Sequence, residues 1–337
     1  MHHLQLIDII GKGAYGQVYL ARSEQENALY AIKSVNSKLE KNEVELHQRL
    51  SNHPNIISLK KVIRQPNSIT QLVLEYGPEG DLFSAITERD LYAGNHPLIK
   101  KVFLQLIDAV MYAHEHHVYH RDLKPENILV FEGGQTIKLA DFGLATSDTV
   151  SREYGCGSTF YYSPECQGDL FQNNRHQIGY ATAPNDVWAL GVILVNLATG
   201  RNPWQQASLR DETFRKYLAN PADFLLSILP ISRELNSILK RIFCVDPVHR
   251  ITLEQLKKKI ENCRYFTRTA EVDQYEYIRT QQKIMALKRR YQQKQEKMKQ
   301  SAFELPPSPP ATPCSDRSLS KEQENLSQML TSTCSIV

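Results

Sequence analysis

Apolar and polar residues alternate in short runs through the first part of the chain. From Leu4 to about Leu74, segments such as Gln17-Val18-Tyr19-Leu20-Ala21 and Leu29-Tyr30-Ala31-Ile32-Lys33 are separated by glycine or polar turns, which predicts a set of strands. One stretch departs from this: within Ser37 to Ser51, Leu39, Val44, Leu46 and Leu50 fall at imperfect helical spacing, so a single helix is expected there. From Leu82 onward the period becomes three and four residues. Leu98 to His116 sets Val102, Phe103, Leu106, Val110 and Met111 on one side of a helix. Asn185 to Thr199 is apolar nearly all round after Asn185 and Asp186, as a helix at the centre of a lobe would be, and Gly200 is its stop signal. The regular pattern runs through Leu235 to Ile260 and fades near Phe266. The expectation is an α+β chain with a small, mostly β lobe and a larger helical one.

The sequence changes character after that point. Glu271 to Lys299 is rich in Gln, Lys, Arg and Glu, with Tyr275, Ile278, Ile284, Leu287 and Tyr291 loosely at helical steps, which predicts an exposed helical extension over about 267–300. Lys283, Lys288, Arg289, Arg290, Lys294, Lys297 and Lys299 make it basic; a solvated face is the plain reading, and Lys288-Arg289-Arg290 is short for a nuclear signal. Past Leu305-Pro306-Pro307 the Ser, Pro and polar bias predicts a disordered tail over 301–337, in which Ser308-Pro309 and Thr312-Pro313 suit a proline-directed kinase. Cys334-Ser335-Ile336-Val337 has the form of a prenylation box with an unusual final residue. A single lipid far from the basic helix anchors weakly, so stable membrane insertion is not expected.

Composition narrows the function classes. The chain has 337 residues and is 41% hydrophobic, enough for a large core and for one big domain or two lobes with a tail. Its 40 basic residues nearly balance 37 acidic ones, which argues against nucleic-acid binding by bulk charge. The six cysteines show neither metal-ligand spacing nor a disulfide framework, which predicts a reducing, intracellular setting. No leader-like run opens the chain, and the longest apolar stretch, Val187 to Ala198, is short and interrupted by Asn196.

The chemistry concentrates in four places. Gly11-Lys12-Gly13-Ala14-Tyr15-Gly16-Gln17-Val18 is a G-x-G-x-x-G, a spacing shared by dinucleotide folds and by ordinary turns. A dinucleotide fingerprint needs a helix directly after the third glycine, whereas here a strand pattern continues, as in a hairpin whose backbone N–H groups lie over phosphates. Lys33 ends Ala31-Ile32-Lys33 on the next strand; a solvated strand lysine is the bland alternative. Leu72-Val73-Leu74-Glu75-Tyr76-Gly77 runs from an apolar strand into a polar segment that reads as a hinge. The fourth place is the strongest: His120-Arg121-Asp122-Leu123-Lys124-Pro125-Glu126-Asn127, followed by Asp141-Phe142-Gly143, supplies carboxylates, a carboxamide and a lysine at a spacing that phosphoryl transfer can use.

These motifs resemble those of the eukaryotic protein serine/threonine kinases over about residues 4–266, with lobes of about 4–76 and 80–266. The resemblance implies a bilobal kinase fold using ATP and Mg²⁺ on Ser/Thr hydroxyls of protein substrates, working as a monomer in the cytoplasm or nucleus. Under it Lys33 contacts the phosphates, Asp122 orients the acceptor hydroxyl, Lys124 marks the serine/threonine pattern, and Asn127 with Asp141 holds Mg²⁺. Glu43 is the chosen partner of Lys33, with Glu40 and Glu45 as competitors. The backbone at Glu75 and Gly77 would bond the adenine edge, Leu74 would line the back of the pocket, and Asp81 would reach the ribose. Val18, Ala31 and Leu129 would sandwich the base. Glu165 would pair with Arg250, and Asp186 would anchor the catalytic loop. Where many kinases carry a phosphothreonine, this chain has Tyr154 with Glu153 beside it, so Arg121 is expected to need no such partner or to find Glu153; Ser147 and Ser151 stay open as modification sites.

Finer features, Gly155-Cys156-Gly157-Ser158, Ser163-Pro164-Glu165-Cys166, the insert Gln167 to Pro184 and Gly200-Arg201-Asn202-Pro203-Trp204, resemble fungal negative regulators of sexual conjugation and meiosis and related nutrient-responsive kinases. That implies a role in nutrient and differentiation signalling. Glu79, Asp81, Glu126 and Asp211-Glu212 suggest a preference for basic residues upstream of the target, though solvated acids explain them as well. The rival reading is a pseudokinase scaffold, which predicts loss of Lys33, Asp122, Asn127 or Asp141. A lipid or small-molecule kinase is disfavoured by Ser163-Pro164-Glu165.

Overall fold

The computed structural model describes residues 4–13, 16–36, 40–64, 69–168 and 179–303. Five strands, β1 (Leu4–Gly13), β2 (Gly16–Ser23), β3 (Ala28–Asn36), β4 (Leu59–Arg64) and β5 (Ile69–Glu75), form one sheet in the order β1-β2-β3-β5-β4. Every neighbouring pair is antiparallel. The alternation noted in the sequence puts Ala31 and Lys33 on one face of β3, opposite Leu20 and Val18 of β2. Helix α1 (Glu40–Leu50) covers the sheet, packing Val44 against Val35 and Leu72.

The larger lobe is helical. It contains α2 (Leu82–Thr87), α3 (His96–Glu115), α4 (Pro164–Gln167), α5 (Thr182–Thr199), α6 (Glu212–Ala219), α7 (Phe224–Ile228), α8 (Arg233–Ile242) and α9 (Leu253–Asn262). Helix α5 is its axis: Val187 to Val195 is buried without a break, and Gly200 ends it in the left-handed conformation at φ +67°. The apolar run that was too short for a membrane span is therefore core. Among the described residues no helix is long and apolar enough to cross a membrane. Two short strands, β6 (Ile128–Phe131) and β7 (Thr136–Leu139), pair with each other between His120–Asn127 and Asp141-Phe142-Gly143, and β8 (Val150–Ser151) pairs with β9 (Tyr180–Ala181).

Contacts divide the chain into two units, Met1–Glu276 and Tyr277–Val337. The last helix, α10 (Ala270–Phe303), begins within the larger unit, where Val272 is buried and Glu276 accepts the Arg233 N–H at 3.0 Å. The sequence expects the extension to be exposed from its start. The first turns are held instead because Glu276 sits at the start of α8, where helix N–H groups lack internal partners.

Candidate active site

Lys33 is buried on β3, and its ammonium donates to Glu43 Oε1 at 2.6 Å and to Asp141 Oδ1 at 2.7 Å. Of the three glutamates weighed, Glu43 meets Lys33; Glu45 instead bonds Arg49 on the outside of α1. Burial alone would lower the pKa of Lys33, but the two facing carboxylates outweigh it and hold it above its ordinary value. Asp141 is kept below the usual carboxylate range despite desolvation, because Lys33 and the Gly143 N–H (3.2 Å) favour its charged form. Desolvation pushes Glu43 up, with Lys33 offsetting part of the effect.

Behind this cluster lies His47, a residue the sequence reading passed over. It donates from Nε2 to the Ile57 carbonyl at 2.7 Å and stacks obliquely on Phe142, with ring centroids 4.8 Å apart. Burial lowers its pKa from 6.5 to about 4. A histidine held neutral in the fold but free to protonate when unfolded stabilises fully above about pH 6.5, and that contribution is lost as pH falls towards 4. The shift corresponds to roughly 3 kcal/mol. Urea melts of wild type should weaken steeply across that window, and His47→Gln should flatten the dependence; an unchanged slope would assign the acid sensitivity to other groups.

The segment His120 to Asn127 is fixed from below. Asp186 at the start of α5 accepts the His120 and Arg121 N–H groups at 2.9 Å each, and its Oδ2 meets His114 Nε2 at 2.9 Å. Asp122 then receives Lys124 Nζ at 2.8 Å and Asn127 Nδ2 at 3.1 Å. Ser158 completes this group: its hydroxyl donates to Asp122 Oδ1 and accepts from Lys124, both at 2.8 Å. In the sequence Ser158 stands out only within Gly155-Cys156-Gly157-Ser158, among the subfamily features. Asn127 also donates to the Asp122 carbonyl at 2.9 Å, and its own carbonyl accepts the Ala140 N–H at 2.8 Å, tying the loop to the residue before Asp141.

Arg121 (φ +63°) and Asp141 (φ +61°) both adopt the left-handed region without being glycine. Such conformations cost about 1–3 kcal/mol each and persist where surrounding bonds enforce them. For Arg121 those bonds run from Nε to Leu144 O at 2.7 Å, and from Nη1 to Ser151 Oγ at 3.0 Å and Glu153 Oε2 at 2.6 Å. At the end of the same segment, Arg250 grips Glu165 through two bonds of 2.5 and 2.9 Å and lies 4.9 Å over the Trp188 ring.

A cleft of about 590 Å³ opens beside Lys33. Gly11, Gly16, Val18, Ala31, Lys33, Glu43, Leu74, Glu75, Gly77, Asp81, Asn127, Leu129 and Asp141 all line it, as do Ile10 and Ile57, which the sequence reading did not name. Gly13 pairs with Gly16 across β1 and β2, and Asp122 and Lys124 adjoin the cleft through Asn127. The strand does continue after Gly16, so the dinucleotide alternative lacks its helix. Gly16 could not be replaced: at φ +148°, an added Cβ would lie 1.9 Å from the Ser34 carbonyl oxygen.

Several acidic residues already have structural partners. Asp81 caps α2 through Ser84 N (2.8 Å), and Asp211 caps α6 through Phe214 N (2.8 Å) while also accepting from Gln205 and Gln206. Glu212 pairs with Lys216, and Glu79 accepts the Gly133 N–H at 3.0 Å. Glu126 remains exposed at the cleft. Among the described residues no group of three or more His, Cys, Asp or Glu side chains could hold a metal. Most of the insert Gln167 to Pro184, Ser308-Pro309, Thr312-Pro313 and Cys334 to Val337 lie outside the described residues.

A family profile described as the protein kinase domain matches residues 4–260. The chain is 50% identical over 288 residues to the negative regulator of sexual conjugation and meiosis of Schizosaccharomyces pombe, a match covering 79% of this chain and 61% of that protein. It is 31% identical over 323 residues to serine/threonine-protein kinase VHS1 of Saccharomyces cerevisiae, covering 77% and 69%. With serine/threonine-protein kinase ksp1 of Schizosaccharomyces pombe it shares 34% over 282 residues, covering 79% and 58%. The chain thus spans about three fifths of the length of the first and third of these relatives.

Proposed function

The chain belongs to the protein kinase family, among its serine/threonine members, and from that premise we propose that it transfers the γ-phosphoryl group of ATP to Ser and Thr hydroxyls of protein substrates. The observation that carries the proposal is the linked set Lys33–Asp141 and Asp122–Asn127 at one cleft, each pair within 3.1 Å. The residues fit both cofactors. Val18, Ala31 and Leu129 offer apolar walls for a base, the hinge backbone at Glu75 and Gly77 offers its edge partners, and the close-set glycines leave backbone N–H groups accessible to phosphates. Asn127 and Asp141 offer hard oxygen donors, and a pair is sufficient for Mg²⁺, which keeps waters and substrate phosphates as its other ligands.

When bound, Mg²⁺ supplies charge neutralisation on the phosphates. The chain's own groups do the rest. Lys33, held by Glu43, orients phosphate oxygens. A carboxylate oxygen of Asp122 accepts the proton of the incoming hydroxyl, and Lys124 balances charge developing at the transferred group. Ser158 holds Asp122 and Lys124 at fixed separation. The pseudokinase rival requires loss of one of the four chemical groups, and all four are present and linked.

Glu153 stands in for an activating phosphate by engaging Arg121. Its side chain is largely exposed, so the pair contributes modestly to folding and mainly to the order of the segment. Glu153→Gln should reduce kcat roughly three- to tenfold in unphosphorylated enzyme, with little change in melting temperature. Full activity in that variant would remove Glu153 from this role.

Glu126 supports selection of a basic residue upstream of the acceptor; Asp211, engaged as a cap, does not. Peptides with arginine upstream should be preferred several-fold, a preference reduced in Glu126→Gln. The likeness to a negative regulator of sexual conjugation and meiosis supports a role in fungal differentiation signalling.

A further inference from the structure

The second unit carries a face that catalysis does not use. Over residues 277–298, α10 has seven cations and one anion, Glu296. Tyr277, Ile284, Tyr291 and Met298 recur every seven residues, and Leu287 falls between them. At 3.6 residues per turn these five occupy one arc of about 80°. They are not buried: Leu287 and Met298 are each 64% exposed, Tyr277 65% and Tyr291 46%. Lys283, Arg290 and Lys294 follow one edge of the arc and Lys288 the other.

We propose that this face binds an anionic lipid surface, with the helix lying in the headgroup layer. Charge complementarity identifies the occupant. A narrow apolar arc bordered on both edges by long cationic chains lets the apolar side sink to the acyl boundary while the ammonium and guanidinium groups reach phosphates. Tyrosine, apolar in body and polar at its tip, suits that depth. A second copy of the helix fits poorly. Parallel pairing along the seven-residue seam would set Lys283 of each copy against Lys288 of the other and Arg290 against the uncharged Gln295, and two of the three intervening seam positions are Thr280 and Lys294. The helix is too polar to span a bilayer.

The test uses the full chain and vesicles of phosphatidylcholine with about 30% phosphatidylserine, a strongly anionic surface. Sedimentation should carry the chain down with these vesicles and not with phosphatidylcholine alone. Lys283→Gln/Arg290→Gln/Lys294→Gln should weaken binding roughly a hundredfold. Leu287→Gln/Tyr291→Gln, which keeps good helix formers, should weaken it roughly tenfold. Thermal melting of both variants should match wild type, since these side chains are exposed. No binding to the anionic vesicles at low salt would overturn the proposal. So would undiminished binding by Leu287→Gln/Tyr291→Gln, which would make the helix a simple polycation for nucleic acid or acidic protein. A concentration-dependent dimer lost in that variant would also overturn it, by assigning the arc to a second copy.

Discussion

Asp141→Asn should lower kcat for peptide phosphorylation by about a thousandfold or more, because under the proposed function it removes a negative charge that would help hold Mg²⁺ at the transferred phosphoryl group. Asparagine keeps an oxygen that can accept from Lys33 and the Gly143 N–H, so the local bonds survive in outline. Lys33 also retains Glu43 at 2.6 Å. The fold should therefore lose only about 1–2 kcal/mol, the scale of one charge-assisted hydrogen bond weakened to a neutral one. Steady-state kinetics and a thermal melt of the same preparation separate the two effects. Activity within tenfold of wild type would remove Asp141 from the chemistry.

Arg250→Met should give the largest loss of stability. Arg250 and Glu165 are both buried, and the guanidinium also donates to the carbonyls of Cys244 at 3.0 Å and Pro184 at 2.8 Å. Removing it leaves a buried carboxylate and two carbonyls without their donor, at about 3–5 kcal/mol. For a domain of this size that lowers the melting temperature by roughly 10 °C. Adding Glu165→Leu should recover much of the loss, since the penalty lies chiefly in the orphaned charge. A double variant as unstable as the single one would show that the carbonyl bonds and the Trp188 contact matter more than the ion pair.

What the sequence disclosed depended on how local the signal was. Period-two strands at Gln17 to Ala21 and Leu29 to Lys33 and the all-apolar α5 were legible because burial of a face imposes a repeat on neighbouring residues. The motif around Asp122 was legible because its groups lie within eight positions. The pairs Lys33–Glu43 and Glu165–Arg250 and the anchoring by Asp186 were expected from the family resemblance and form in the structure; Arg121–Glu153, one of two alternatives left open where the sequence departs from the family pattern, also forms.

Contacts across long separations left no trace of their own. Ser158 reaches Asp122 from 36 positions away, and nothing in Gly157-Ser158 distinguishes that hydroxyl from a surface one. His47 reads as one more polar residue on α1, although its ring is buried against Phe142. Asp211 and Glu126 are both acids in the sequence; only the fold reveals that one caps a helix while the other stays exposed.

The most direct test of the account is phosphoamino-acid analysis after incubating the purified chain with γ-labelled ATP, Mg²⁺ and a peptide library containing Ser, Thr and Tyr, with Asp122→Asn run in parallel. Label on serine and threonine in the wild type, falling by about two to four orders of magnitude in Asp122→Asn, is the predicted result. Label confined to tyrosine, or equal incorporation by the variant, would contradict it.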